Sequence, residues 1–142
     1  MQLFLVLVVL LFSATQAQIF TVAPPTGDPV KDLAAIENTL SLGQQWQTNN
    51  TFNGIIPQVE IVLSSGTYSL CPSNGTCINI NNWTNLIFRG DIIGSGTTIN
   101  LLGPNTGYIT VSVGNSVTVS DLTFDMQILP WTQGLIVGTN QT

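Results

Sequence analysis

Two stretches of sequence decide the fold: NLIFRGDII at residues 85–93 and SVTVSDLTF at residues 116–124. In both, a short apolar or β-branched strand meets a polar or glycine turn, and a second apolar stretch follows. The pattern that starts at Asn85 is thus repeated from Ser116. Repeated units of this kind are typical of solenoids, in which each coil stacks on the next. The repeat therefore favours a solenoid over a β-sandwich, which would show hairpin turns such as Asn-Gly between well-formed strands.

Short β-branched segments bounded by glycine, asparagine, aspartate or proline run from Val59 to the end of the chain. Asparagines lie near the presumed corners, among them Asn82, Asn85 and Asn100. In the last repeat, a corner at Ser120-Asp121 is needed to keep the apolar residues on one side. Alternation then predicts that five side chains point into the core: Val117, Val119, Leu122, Phe124 and Met126.

One amphipathic helix precedes the strands. Asp28 is a good N-cap, and Pro29 suits the first helical position. Apolar residues then recur at helical spacing until Gly43, which is expected to end the helix. The pattern predicts an amphipathic helix within residues 28–43. Because they are rich in proline, residues 18–27 before it are predicted to form an extended linker.

In their order and spacing, these segments resemble the start of a right-handed parallel β-helix of the pectin lyase-like superfamily. TGDPVKDLAAIENTL (residues 26–40) resembles the N-terminal capping helix of that group. VEIVLSSGTYSL (residues 59–70) resembles its first-strand motif, which ends in P-x-GTY, with Ser64 in place of the proline. NLIFRGD…GSGTTINL and SVTVSDLTFDM resemble its coil motifs, so the resemblance covers residues 26–126.

The resemblance implies an all-β fold. It would be a right-handed parallel β-helix of about three coils over residues 55–142, with the helix capping its N-terminal end. Enzymes of the superfamily cleave acidic polysaccharides by β-elimination or hydrolysis, and their catalytic residues usually lie on middle coils. So few coils, without a visible closing cap, predict a truncated N-terminal fragment of a longer protein that contains no complete active site. A polysaccharide or glycan is the partner that the resemblance implies.

The first segment predicts secretion. The apolar run LFLVLVVLLF (residues 3–12) is shorter than the about 20 residues of a membrane-spanning helix and fits the roughly 7–15 of a signal-peptide core. Thr15 and Ala17 follow as small residues at the two positions that a signal peptidase reads. We therefore predict a signal peptide over residues 1–17 and a secreted protein, with no membrane anchor in this chain.

Secretion would place Cys71 and Cys77, the two cysteines of the chain, in an oxidising compartment. They flank the turn-rich loop PSNGT, which can bring them together, and we predict that they form a disulfide. Two cysteines without histidine cannot complete a tetrahedral zinc shell. Asn-x-Ser/Thr sequons predict N-glycosylation in a eukaryotic host at Asn49, Asn74, Asn82 and Asn140.

The charges exclude several function classes. The chain has two basic residues, seven acidic residues and no histidine, and its formal net charge is −5. It has no basic patch that would bind nucleic acid or an anionic membrane. No phosphate loop, zinc-ligand spacing or nucleophile elbow is present either. The sequence therefore predicts no cofactor and no metal.

Asp121 and Asp125 form the one close acidic pair among the predicted strands. Four residues of extended strand span about 13 Å. This exceeds the roughly 5 Å between the carboxylates of a retaining glycosidase and the roughly 6.5–9.5 Å of an inverting one. A corner at Ser120-Asp121 could shorten the gap, so a carboxylate pair and solvent-facing aspartates both stay open. The catalytic residues are unknown, and the candidate carbohydrate contacts are Trp83, Asp121 and Asp125, with core packing as the alternative for Trp83.

Three function classes remain. The chain could be part of a polysaccharide lyase or glycoside hydrolase, or a non-catalytic extracellular β-helix that binds glycans. The third class is a structural or adhesion protein that acts through Arg89-Gly90-Asp91, the tripeptide that cell-adhesion receptors recognise. Apolar strands flank this tripeptide closely, so we predict that it is a fixed turn rather than a mobile adhesion loop.

Overall fold

The structure is a computed structural model that describes residues 17–72, 75–103 and 106–126. The predicted signal peptide, except for Ala17, lies outside the described residues. Within the described ranges there is one helix, α1 (Pro29–Asn50), and it is not long and apolar enough to cross a membrane. The strands in these ranges are β1 (Gln18–Val22), β2 (Val59–Leu63), β3 (Gly66–Leu70), β4 (Gly75–Asn81), β5 (Thr84–Gly90), β6 (Thr97–Leu101), β7 (Thr106–Ser112), β8 (Asn115–Ser120) and β9 (Leu122–Met126).

All of these strands pair in parallel, and from β2 onward each strand pairs with the strand three positions later in the chain. The result is three sheets with the strand orders β1-β2-β5-β8, β3-β6-β9 and β4-β7. The chain therefore passes through all three sheets before it returns to the first. The predicted all-β fold, with parallel strands and one helix, is confirmed.

The repeat in the sequence matches the register in which β5 and β8 pair. Thr84 of β5 lies opposite Asn115 of β8, and the next positions, Asn85 and Ser116, share an unusual backbone conformation. Their φ angles are 54° and 56°, in the left-handed region that asparagine enters more readily than most residues. The same left-handed residue at the start of a strand is therefore built twice, once in each pass of the chain.

The predicted corners are only partly correct. Asn82 has a φ of 56° between β4 and β5, and Asp121 has the same φ between β8 and β9. Both residues therefore lie at corners, as the sequence suggested. Asn100 does not, because it lies inside strand β6. The sequence placed Asn100 near a corner, and it is the next-to-last residue of β6.

The core consists of inward side chains stacked in register. Phe88 of β5 lies opposite Ile61 of β2, and Ile99 of β6 lies opposite Tyr68 of β3. All four side chains are fully buried, while burial alternates along β5 and β6. Full burial of such a side chain stabilises the fold by about 1.5–3 kcal/mol. Burial of these stacked rows therefore stabilises the fold substantially.

The last repeat is less buried than the alternation predicts. Val119 and Phe124 pair with fully buried residues of β5 and β6, yet they are 38% and 42% exposed. Within the described residues, β8 and β9 have a neighbouring strand on one side only. The register thus confirms the predicted inward direction, whereas the degree of burial depends on a neighbour that periodicity cannot supply.

Helix α1 begins as predicted but ends later. The Asp28 carboxylate accepts a hydrogen bond from the backbone N–H of Val30 at 3.0 Å, which caps the helix. The helix then continues past Gly43 to Asn50, so the predicted end was wrong. Gly43 is buried, and a Cβ at this position would lie 3.0 Å from the Ile61 Cδ1. Gly43 therefore allows the helix to pack closely on β2, and it does not end the helix.

The prediction of an extended linker over residues 18–27 was also wrong in its first half. Strand β1 forms there, pairs with β2 and buries Val22 completely. The prolines lie only in the connection to α1, which Tyr68 holds by donating from its hydroxyl to the Ala23 carbonyl at 2.7 Å. Burial raises the pKa of Tyr68 to about 12. The residues directly after the predicted cleavage site are therefore part of the sheet.

Cys71 and Cys77 form the predicted disulfide, with their Cα atoms 5.6 Å apart. Cys77 lies in β4 and is buried, and Cys71 directly follows β3. The bond therefore closes the connection between two sheets.

Replacing both cysteines with alanine should lower the free energy of unfolding by about 2 kcal/mol, because a cross-link that closes a short loop removes that much entropy from the unfolded chain. Urea denaturation measures the change. Adding a reductant should destabilise the wild type to the same extent and leave the variant unaffected. A variant as stable as the oxidised wild type would contradict this assignment.

Candidate functional site

The Arg89-Gly90-Asp91 tripeptide lies at the end of β5 and is bound into the fold. Arg89 forms an ion pair with Glu60, and the side chains of the two residues are only 22% and 14% exposed. The Arg89 Nη1 also donates to the Gly90 carbonyl at 3.0 Å. The guanidinium group is therefore directed along the sheet surface and is already paired.

The Asp91 carboxylate is engaged as well. It accepts hydrogen bonds from the backbone N–H of Ile93 at 2.9 Å and from the Ser65 hydroxyl at 3.0 Å. These two bonds lower the pKa of Asp91 below its ordinary value of 3.8. The backbone N–H of Asp91 donates to the Leu63 carbonyl at 2.9 Å. Both charges of the tripeptide are thus used inside the protein.

Gly90 is required by packing. A Cβ at this position would overlap the backbone oxygen of Asp121 and would lie 2.8 Å from the Thr97 Cβ. Asp121 is the corner between β8 and β9, so the next pass of the chain touches the backbone at this glycine. The geometry therefore gives the adhesion hypothesis no support, and the tripeptide is a structural contact between passes.

Trp83 is 3% exposed and belongs to the core. It also lines a cleft of about 200 Å³ beside α1 and β4, where the polar lining includes Glu37, Gln44 and Asn79. Gln44 closes part of this cleft by donating from its Nε2 to the Asn81 carbonyl at 3.3 Å. A ring enclosed in this way offers no free face on which a sugar could stack.

Two of the four sequons lie in the described part of the chain. Asn49 is in the last turn of α1 and Asn82 is at a corner, and both are exposed. Their glycosylation stays a prediction. Asn74 and Asn140 lie outside the described residues.

The two candidate aspartates belong to different structural elements. Asp121 is exposed at its corner, where its carboxylate accepts a hydrogen bond from the Ser120 hydroxyl at 2.8 Å. Asp125 is exposed in β9, where it lies opposite Asn100 of β6. Within the described residues, no group of three or more histidine, cysteine, aspartate or glutamate side chains could hold a metal.

The sheet β3-β6-β9 presents two rows of polar side chains on its outer side. Members of each row lie opposite one another in register, with neighbouring strands about 4.8 Å apart. We call these six residues the polar face. Its threonine row is Thr67, Thr98 and Thr123, and its mixed row is Ser69, Asn100 and Asp125.

The side chains of the polar face make no hydrogen bond or ion pair with any described residue. On the other sheets, by contrast, Arg89 is paired with Glu60, and the Ser112 hydroxyl donates to the Asn81 side chain at 3.0 Å. In the described ranges, the Asn100 Oδ1 is the one buried side-chain polar atom without a hydrogen-bond partner. Buried polar groups in proteins nearly always have a partner. The side chains of the polar face are therefore not engaged by contacts within the described protein.

Sequence reasoning identified Asp125 but missed the other five residues of the polar face. A signal was present, because the three strands carry the triplets TYS, TIN and TFD, each with threonine followed two positions later by a small polar residue. The triplets are not equally spaced, since the interval from Thr67 to Thr98 is longer than the interval from Thr98 to Thr123. A search at one fixed period therefore does not align them.

No protein-family model, no curated protein and no solved structure matches this chain. Membership of the pectin lyase-like superfamily therefore stays a proposal.

Replacing Gly90 with alanine should lower the free energy of unfolding by about 3 kcal/mol, because the new Cβ meets the Asp121 backbone oxygen, which cannot move away alone. Urea denaturation measures this loss, and the dependence of the unfolding free energy on urea concentration should be unchanged. Thr118→Ala, at an exposed position of β8, should change stability by no more than about 0.5 kcal/mol. Equal stability of the two variants would refute the close approach at Gly90.

Replacing Asn100 with valine should leave stability unchanged or raise it by up to about 1 kcal/mol. The variant removes a buried acceptor without a partner and adds a better strand former. Asn85→Val is the matched comparison and should destabilise, because the Asn85 amide donates to the Ile56 carbonyl at 2.9 Å and its φ is 54°. Thermal unfolding distinguishes the two variants. A similar loss in both would show that Asn100 has a structural role.

Proposed function

We propose that this chain is an extracellular, non-catalytic β-helix module that binds a polysaccharide along the polar face. The observation that carries the proposal is the pair of polar rows, in register and without hydrogen-bond or ion-pair partners among the described residues. Hydroxyl, amide and carboxylate groups are the donors and acceptors that sugar hydroxyls need. Each row repeats with the strand spacing of about 4.8 Å, which is close to the length of one sugar unit. Successive sugars would therefore meet equivalent side chains.

The finer fold that we propose is a right-handed parallel β-helix of the pectin lyase-like type. The pairing of each strand with the strand three positions later supports stacked coils with three sheets. Connections between parallel strands of one sheet are right-handed in about 98% of cases, which supports the handedness. Helix α1 packs against β1, β2, β3 and β4, the position expected of an N-terminal cap.

An extracellular location is supported by two observations. A disulfide is present between Cys71 and Cys77, and disulfides persist in oxidising compartments. Strand β1 begins at Gln18, directly after the predicted cleavage site at Ala17, so removal of a signal peptide would leave the sheet intact.

Binding without turnover is supported by the charges. Elimination needs a cation to stabilise the developing enolate. Lys31 and Arg89, the two cationic side chains of the chain, are in ion pairs with Asp28 and Glu60. Hydrolysis needs two carboxylates that flank one sugar bond, and the candidate aspartates lie at a corner and in a strand row.

The double variant Thr98→Val, Asn100→Val tests the proposal. It should weaken polysaccharide binding about tenfold or more, because it removes two groups whose hydrogen bonds each contribute about 1 kcal/mol. Affinity electrophoresis against soluble polysaccharides measures binding, and thermal unfolding verifies that the variant is folded. Thr118→Val, on the outer side of β8, should bind within twofold of the wild type. Unchanged binding by the double variant, or no binding by the wild type, would refute the proposal.

A further inference from the structure

We infer that the polysaccharide bound by the polar face is neutral, in contrast to the acidic polymers that the superfamily resemblance suggests. This inference rests on the proposed binding function and names the ligand class of that site. It follows from where the charges of the chain lie.

The polar face has no basic side chain that could pair with a sugar carboxylate. The two basic residues of the chain are Lys31 and Arg89. Lys31 lies 3.2 Å from the Asp28 carboxylate at the start of α1, and Arg89 is held by Glu60 on the outer side of β2 and β5. Neither belongs to the sheet that carries the polar face. A carboxylate on a bound sugar would therefore find no oppositely charged partner there.

The polar face itself repels acidic sugars. Its one formal charge is the exposed carboxylate of Asp125, and Asp121 is a second exposed carboxylate at the corner before β9. The chain as a whole carries a net charge of −5. An acidic polysaccharide laid along the rows would bring a new negative charge at nearly every strand spacing. Like charges at such distances weaken association, most strongly at low ionic strength.

The remaining side chains of the polar face suit neutral sugars. Four of the six carry hydroxyl groups, and Asn100 carries an amide. These groups both donate and accept hydrogen bonds, which is what sugar hydroxyls require. The methyl groups of the threonine row add an apolar strip that would contact the C–H groups of a sugar ring.

Two pairs of polymers, each with one backbone and two charge states, test the inference. The pairs are methyl-esterified and de-esterified homogalacturonan, and hydroxyethyl and carboxymethyl cellulose. Affinity electrophoresis is run in a chelator, which excludes bridging by divalent cations. In each pair that binds, the neutral member should bind at least tenfold more tightly at about 0.01 M salt. The difference should shrink at about 0.1 M, because the Debye length falls from about 30 Å to about 10 Å.

The outcomes separate this inference from the proposed function. Equal or tighter binding of the charged member in either pair would overturn the inference and leave polysaccharide binding standing. No binding of any of the four polymers would overturn the proposed function, and the inference with it.

Two matched variants locate the repulsion. Asp125→Lys and Glu37→Lys change the net charge equally, but Glu37 lies on helix α1, away from the polar face. Asp125→Lys should raise the affinity for the charged polymers at least fivefold more than Glu37→Lys does. Equal gains would mean that net charge alone governs binding, and would overturn the assignment of the repulsion to the polar face.

Discussion

Hydrogen bonding between each strand and the strand three positions later is the constraint on which the rest of the structure depends. A single pass of three short strands cannot bury its own inward side chains, and it buries them only by stacking on its neighbour. Stacking in register places Phe88 on Ile61 and Ile99 on Tyr68, and these rows become the core. The same stacking brings the Asp121 backbone against Gly90, where no side chain fits.

Helix α1 packs against the strands of the first pass of the chain. A stack of parallel strands has an end where backbone groups lack a neighbouring strand. Gln47 of the helix donates from its Nε2 to the Pro57 carbonyl at 2.8 Å and to the Thr84 carbonyl at 2.6 Å. Gly43 lets the helix approach closely enough for such contacts. The helix is therefore joined to the strands by polar contacts as well as by apolar packing.

The polar face is the outer counterpart of the core rows. Parallel pairing in register aligns like positions of successive strands, whichever way they point. Inward positions give apolar rows, and outward positions of β3, β6 and β9 give rows of threonine and of small polar residues. Under the proposed function, successive units of a bound polymer would meet equivalent side chains of this array. The residues of the Arg89-Gly90-Asp91 tripeptide, in contrast, are all engaged in contacts within the fold.

The sequence by itself determined the elements whose causes are local. Short stretches of the chain show four of these elements: the Asp28 cap, the alternation along the strands, the repeat that starts at Asn85 and again at Ser116, and the pairing of the cysteines. Only the tertiary structure decided the rest, because the deciding contacts join distant positions. Periodicity cannot show that α1 packs on β2 at Gly43 and therefore continues to Asn50. Periodicity also cannot show that Thr123 pairs with Thr98, because the interval between them is shorter than the interval from Thr67 to Thr98. This pairing aligns the rows of the polar face.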